Sequence, residues 1–309
     1  MKREIIVICG PTAVGKTKYA IETALHCNGE VVSCDSMQLY KYMDIGSAKP
    51  TPEEQAQVKH HLVDEIDPAG EMFSVAKYQK LAKDAIEDIF SRGKTPVIAG
   101  GTGLYLNSLL YDMDFSAPPR DEAYRDQLYK DAEEFGAEYL HNKLQLVDPE
   151  AAARIHPNNI KKVVRALEAA EEGEKVKDFA TELKPTKDYT AKLIGLTRDR
   201  EELYNRINLR VDMLVDMGLL EEVKGLLDMG LSEGDISMKG IGYKEIIGYY
   251  HGEYDLEEAI RLVKKNTRRY AKRQLTWFRR YDDMQWFDIS TYENDDACLK
   301  EIFAWLEKN

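Results

Sequence analysis

The segment Gly10-Pro11-Thr12-Ala13-Val14-Gly15-Lys16-Thr17 constrains this chain more than any other. It matches G-x-x-x-x-G-K-[ST] and lies between an apolar run and a helical pattern, the context that this loop requires. Glu4 to Cys9 reads as a buried strand, and Lys16 to Leu25 reads as a helix. Between them, glycines let backbone N–H groups converge, the helix N-terminus adds partial positive charge, and Lys16 supplies a full one. Such a cradle suits two adjacent phosphates, with the Thr17 hydroxyl offered to a Mg²⁺ that bridges them. Loops of this type are nucleotide-binding, and often ATP-binding. A nucleotide hydrolase, however, normally carries a second acid at the end of an apolar strand to hold the magnesium. The strand Val97-Ile98-Ala99 runs instead into Gly100-Gly101-Thr102, with no carboxylate, which weakens the hydrolase reading.

The pattern continues as α/β. Glu30 to Cys34 reads as a second short strand ending at Asp35, Phe73 to Phe90 as an amphipathic helix, and Pro96 to Ala99 as a strand. A further helix follows Gly100-Gly101-Thr102-Gly103. Strands alternating with helices imply a P-loop core with a parallel sheet flanked by helices. After Ser116-Ala117-Pro118-Pro119 no strand-like run appears until Lys192 to Leu196, while Asp121 to Glu172 is a succession of helical segments. The expected organisation is therefore a core from residues 1–117 and 191–309, interrupted by an all-helical insertion domain at 118–190. A long helix from Glu201 to Met217, further helices to Arg280, a strand at Met284 to Ile289 and a terminal helix from Asp295 complete it. With 309 residues, 43% of them apolar, the chain can bury a core of this size.

Other features exclude classes of protein. The N-terminal stretch lacks the apolar region of a signal peptide, and no apolar run approaches the roughly 20 residues that cross a bilayer. A cytoplasmic monomer without a membrane partner is expected. Cys9, Cys27, Cys34 and Cys298 form no C-x-x-C pair, so reduced, mostly buried thiols are expected, and His60-His61 reads as helix or strand surface. The net charge of −12 argues against a nucleic-acid partner. Local charge argues the other way: Arg261, Lys264, Lys265, Arg268, Arg269, Lys272, Arg273, Arg279 and Arg280 fall in one stretch with no acid. Without an anionic partner these nine charges are expected to repel one another.

Asp35 stands at the C-terminal end of a strand, where open α/β sheets place their ligands. A carboxylate there can take a proton from a nucleophile or position magnesium through water, and small-molecule kinases use an acid in a similar place. Asp35 alone leaves kinase and alkyl transfer both open.

An ordered set of segments goes further. The phosphate loop, Asp35-Ser36-Met37-Gln38-Leu39-Tyr40, Met43-Asp44-Ile45-Gly46-Ser47-Ala48-Lys49-Pro50, Gly100-Gly101-Thr102-Gly103-Leu104-Tyr105, Gly242-Tyr243 and Lys272-Arg273-Gln274-Leu275-Thr276-Trp277-Phe278-Arg279 follow one another as they do in tRNA dimethylallyltransferases. The chain resembles that family over roughly residues 3 to 287. The resemblance implies transfer of a dimethylallyl group from dimethylallyl diphosphate to the exocyclic amine of the adenosine at position 37, beside the tRNA anticodon, with release of diphosphate. It implies Asp35 as the base, and Lys16, an arginine and Mg²⁺ on the leaving group. Arg210 is the expected arginine, with Arg206 one turn earlier, and Thr102 resembles the contact to the substrate nucleotide while also standing where it would cap the next helix. Gly10 to Thr17, with Arg206, would hold the diphosphate. The tRNA anticodon loop, its target base flipped out, would meet Asp35, Ser36, Met37, Gln38, Thr102, Gly242 and Tyr243. It would also meet Lys272, Arg273 and Arg279 in the basic helix. His156 to Arg165 is similar to an RNA-contact stretch of the family, with Lys161 and Lys162 replacing its usual glutamine and arginine; Arg165 and Arg125 match basic positions.

Overall fold

In the strand Glu4–Cys9, the five residues from Ile5 are apolar toward both sides, as suits a sheet covered on two faces. In the computed structural model, which describes residues 3–70, 73–113, 122–173 and 183–308, this strand, β1, is central. Ile5, Val7 and Cys9 belong to one hydrophobic cluster, and Ile6 and Ile8 to the cluster on the opposite face, as the two-residue period of a strand dictates.

The chain then runs through α1 (Lys16–His26), β2 (Gly29–Cys34), α2 (Pro52–Gln57), β3 (His60–His61), α3 (Val75–Ser91), β4 (Thr95–Gly100) and α4 (Gly103–Leu110). Four helices follow, α5 (Glu122–Phe135), α6 (Ala137–Val147), α7 (Pro149–Arg154) and α8 (Ile160–Glu171). The chain returns with β5 (Thr190–Thr197), α9 (Arg200–Asp216), α10 (Leu219–Asp228), α11 (Tyr243–Tyr250), α12 (Leu256–Phe278), β6 (Gln285–Asp288) and α13 (Asp295–Lys308). All strand pairings are parallel, in the order β3-β2-β4-β1-β5-β6. The protein is thus an α/β P-loop fold with a six-stranded parallel sheet flanked by helices. His60-His61, expected on a helix or strand surface, is a short edge strand, half-buried rather than exposed, and His61 Nε2 lies 2.8 Å from a carboxylate oxygen of Glu30.

The chain divides into two compact units, Met1–Asp112 with Pro185–Asn309, and Met113–Lys184. The expected junction at Ser116 to Pro119 lies outside the described residues. Within the second unit, Leu128, Leu140, Leu144, Val163, Val164 and Leu167 form the core. Asp148 starts α7 by accepting from the Ala151 N–H at 3.0 Å. Arg125 grips Glu168 and so ties α5 to α8, while Lys143 meets Asp131 at 2.6 Å and ties α6 to α5.

At the N-terminal end of the sheet, Glu30 is buried and its carboxylate receives Arg92 and, at 2.8 Å, Lys94 and His61. The Arg92 guanidinium, with Lys94 and His61 behind it, holds this carboxyl far below its ordinary value near 4.5. The unfolded chain therefore takes up this proton at a higher pH than the folded one. Glu30 contributes stability that is complete above the unfolded value and is lost as pH falls toward the folded one. Because Arg92 and Lys94 each keep about a third of their side chains in water, Glu30→Gln is expected to cost about 1–3 kcal/mol at pH 7. In urea titrations the gap to wild type should narrow at pH 3; a gap that stays constant with pH would refute the assignment.

Candidate active site

The strand order explains why distant segments meet. β4 lies between β1 and β2, with Cys9 and Cys34 both in register with Gly100, so three strand ends open at one edge. The phosphate loop leaves β1 there, Asp35 leaves β2, and Thr102 leaves β4.

The loop Gly10–Thr17 is braced by two arginines. Ala13 has φ 63°, a left-handed conformation that costs a non-glycine residue about 1 kcal/mol or more. Arg206 Nε donates to the Ala13 carbonyl at 3.0 Å, and Arg198 Nε to the Val14 carbonyl at 3.0 Å. Arg198 is itself anchored by Glu202 and Asp295. Arg206 is thus an exposed side chain engaged with the loop's backbone. Lys16 folds over the loop, its Nζ donating to the carbonyls of Gly10 at 3.1 Å and Pro11 at 2.9 Å. Thr17 follows in the first turn of α1, half-buried. Burial pulls the Lys16 ammonium down to about 8, with Asp35 opposing and Arg210 adding to the shift. Arg210 is likewise lowered by burial against the support of Asp35 and Glu54. One carboxylate and two desolvated cations therefore share a field.

Asp35 is held by its own turn, with Oδ1 accepting from the Met37 N–H at 2.9 Å. Thr102 begins α4, but its hydroxyl does not cap that helix. It accepts from the Ser36 N–H at 3.1 Å, while its own N–H donates to the Cys34 carbonyl at 3.1 Å. The hydroxyl thereby fastens the end of β4 to the Asp35 turn.

These groups open onto a cavity of about 390 Å³, within the range of small-molecule sites. Thr12, Asp35, Ser36 and Arg210 line its polar side, and Tyr105, Ile207, Val211 and Leu219 are among its apolar walls. Met37, Gly242 and Arg273 also line it. Gln38 instead spends its amide on structure, accepting from Ser33 at 3.0 Å and donating to Ala48 at 3.3 Å. Tyr243, expected against RNA, is fully buried, because its ring packs on Gly46 and its hydroxyl donates to Glu222 at 2.7 Å.

The remaining sequence-predicted positions divide by exposure. Lys272 and Arg273 are exposed on α12, Arg279 is exposed at its C-cap, and Lys161, Lys162 and Arg165 are exposed on α8 opposite its buried Val163, Val164 and Leu167. Arg125 is committed to Glu168. The nine bases are not all without acids, as their sequence neighbourhood suggests: α12 and α9 pack together, so Lys264 pairs with Asp212, and Arg261 pairs with Glu258 one turn back. Trp277 and Phe278 pack in the core, with Arg280 over the Trp277 ring at 5.0 Å.

Two residues of α12 belong to the site but were given no site role from the sequence. Gln274, only 5% exposed, accepts from the Thr12 N–H and donates to the Gly101 carbonyl, both at 2.9 Å. A side chain at Gly101 would meet Gln274 Nε2 at 2.2 Å, so only glycine permits this approach. Tyr270 lines the cavity beside Asp35 and Thr102, and burial pushes its hydroxyl well above the ordinary range. The signal was available: Val263, Thr267, Tyr270, Gln274 and Phe278 follow a helical stripe, and polar groups on an inward stripe need partners.

Comparison with known proteins agrees with this geometry. The chain is 55% identical over 307 residues to the tRNA dimethylallyltransferase of Alkaliphilus oremlandii, covering 98% of each chain. It is similar to the crystal structure of the tRNA isopentenylpyrophosphate transferase of Bacillus halodurans, at 45% identity and TM-score 0.75, over 99% of this chain and 96% of that one. It is also similar to a eukaryotic dimethylallyltransferase acting on tRNA, at 30% identity and TM-score 0.83, over 100% of this chain and 79% of that one. With the sequence model of the family described as IPP transferase matching residues 38–281 as well, the chain belongs to the IPP transferase family.

Proposed function

We propose that this protein transfers a dimethylallyl group from dimethylallyl diphosphate to the exocyclic amine of the adenosine at position 37, beside the tRNA anticodon, releasing diphosphate. The observation that carries the reading is the shared field of Asp35, Lys16 and Arg210, with Asp35, Arg210 and Thr12 of the phosphate loop lining one cavity.

An adenine amine is a weak nucleophile because its lone pair is delocalised into the ring. As it bonds to the first carbon of the allyl group, it must lose a proton, and the Asp35 carboxylate is the acceptor. The carbon–oxygen bond breaks in the same event, and the negative charge collects on the departing diphosphate. Lys16, Arg210 and the loop amides stabilise that charge in a partly desolvated site, where such interactions are strong. Thr102 and Gln274 hold the acceptor and donor sides together through Ser36, Gly101 and Thr12.

The loop suits a magnesium ion in one respect, the hydroxyl that Thr17 offers at the start of α1. Thr17 and the diphosphate oxygens would hold the ion, and its charge would ease departure of the leaving group. Arg206 also holds the loop's backbone through the Ala13 carbonyl.

For tRNA, the exposed bases of α12 suit phosphates near the cavity, with Arg273 at its rim. The α8 face carrying Lys161, Lys162 and Arg165 offers a second basic surface on the helical unit. Among the described residues no helix is long and apolar enough to cross a membrane. A cytoplasmic monomer acting on tRNA fits these features.

Asp35→Asn keeps an acceptor for the Met37 N–H but cannot take a proton. It is expected to lower kcat by about 10²- to 10⁴-fold while tRNA affinity changes little; an Asn variant with wild-type turnover would remove Asp35 as base. Because kcat/KM reports groups of the free enzyme, and deprotonated Lys16 cannot attract the diphosphate, kcat/KM for dimethylallyl diphosphate should decline as pH rises through about 8. A profile flat to pH 10 would contradict the role of Lys16. Affinity for tRNA should fall steeply with salt, and an unresponsive Kd would exclude the basic faces as phosphate contacts.

A further inference from the structure

The cavity wall formed by Gly46, Ser47 and Ala48 belongs to no helix or strand. Such a loop holds its shape only if its backbone groups find partners, and three consecutive N–H groups converge on one carboxylate. Glu222, on α10, accepts from Asp44 and Ile45 through Oε2, each at 2.7 Å, and from Gly46 through Oε1 at 2.9 Å. The same Oε1 accepts from the buried Tyr243 hydroxyl at 2.7 Å. A carboxylate meeting four donors is held far more firmly than one in a single neutral hydrogen bond. The Tyr243 ring fills the space beneath Gly46, where an added Cβ would come 2.5 Å from the ring's Cζ.

The loop is also tied to the acceptor side of the site. Gln38 donates to the Ala48 carbonyl at 3.3 Å, and Gln38 follows directly from the Asp35-Ser36-Met37 turn. Lys49 reaches back to the Tyr40 carbonyl at 2.6 Å and pairs with Asp44. No corresponding hydrogen bond runs from Glu222 to the phosphate loop among the described residues.

We propose that Glu222, with Tyr243 behind it, is a positioning residue that sets the Gly46–Ala48 wall against the nucleoside acceptor and leaves the diphosphate cradle untouched. The proposal rests on the transfer reading above for its kinetic consequence, but the clamp itself can be measured without turnover.

The full-length protein and its Glu222→Gln and Tyr243→Phe variants would be compared in three measurements: prenyl transfer to tRNA, calorimetric affinity for pyrophosphate with Mg²⁺, and hydrogen exchange of the Asp44, Ile45 and Gly46 amides. Glutamine leaves one oxygen and turns a donor toward donors, so exchange at these three amides should accelerate. Displacing a substrate wall by a fraction of its width should lower kcat/KM for tRNA by about 10- to 100-fold, with pyrophosphate affinity held within about twofold. Tyr243→Phe removes one bond of four and should fall between wild type and Glu222→Gln; if the latter does not fold, this intermediate loss supports the clamp and a wild-type value overturns it. Equal loss of pyrophosphate affinity, or unchanged kcat/KM in both variants, would also overturn it. A wild-type protein that binds pyrophosphate but transfers no prenyl group would sink the transfer reading, whereas unchanged exchange at Asp44–Gly46 sinks the clamp whatever the reaction is.

Discussion

The side-chain amide of Gln274 joins two glycine-rich turns that the sheet alone would leave merely adjacent. By accepting from Thr12 and donating to Gly101, it couples the phosphate loop to the end of β4. The Thr102 hydroxyl then carries the connection on to Ser36 and the Asp35 turn. Both bonds of the buried amide go to backbone, so loss of either partner would leave a desolvated polar group, at a cost of about 1–3 kcal/mol. The result is a chain of short contacts that fixes the phosphate loop, the end of β4 and the Asp35 turn relative to one another.

A second brace works on the phosphate loop. Ala13 adopts a left-handed backbone conformation that its side chain disfavours, and the carbonyl of that strained residue is the one that Arg206 holds. Arg198 does the same for the next carbonyl and is locked in turn by Asp295, which also receives Lys18 and the Tyr19 hydroxyl. The last helix therefore reports to the cradle through a charge network. The cationic side chain of Arg206 thus also holds the backbone of the loop.

What could be read from the residues divides along physical lines. The strands and the phosphate loop were legible because apolar runs and glycine spacing are local, and the parallel sense, though not the order, of the strands followed from strand-helix alternation. The edge strand at His60-His61 was not, since two residues carry no period and their pairing depends on β2 lying beside them. Asp35, Lys16, Thr17 and Thr102 could be placed at one sheet edge in advance. Glu222 could not, because its task is to accept from backbone far away in sequence, and nothing near Leu219 to Leu226 advertises that. The basic stretch misled in one respect: its lack of acids in sequence concealed Asp212, which helix packing brings to Lys264.

The electrostatics of the cradle follow from a deliberate imbalance. Lys16 and Arg210 are both desolvated and repel one another, and Asp35 compensates only in part, since Lys16 remains depressed to about 8. Two cations held this way are unfavourable without an anion and favourable with one, so the site gains more from a diphosphate than exposed lysines would. The charge that develops on a leaving diphosphate exceeds that on the bound ester, and the same imbalance therefore favours the transition state over the ground state. This also explains how a chain with a net charge of −12 can suit two anionic substrates. The acids dominate the average, while the cations that matter are concentrated in a cavity and along two helix faces, where a screening length of about 8 Å isolates them from the rest of the surface.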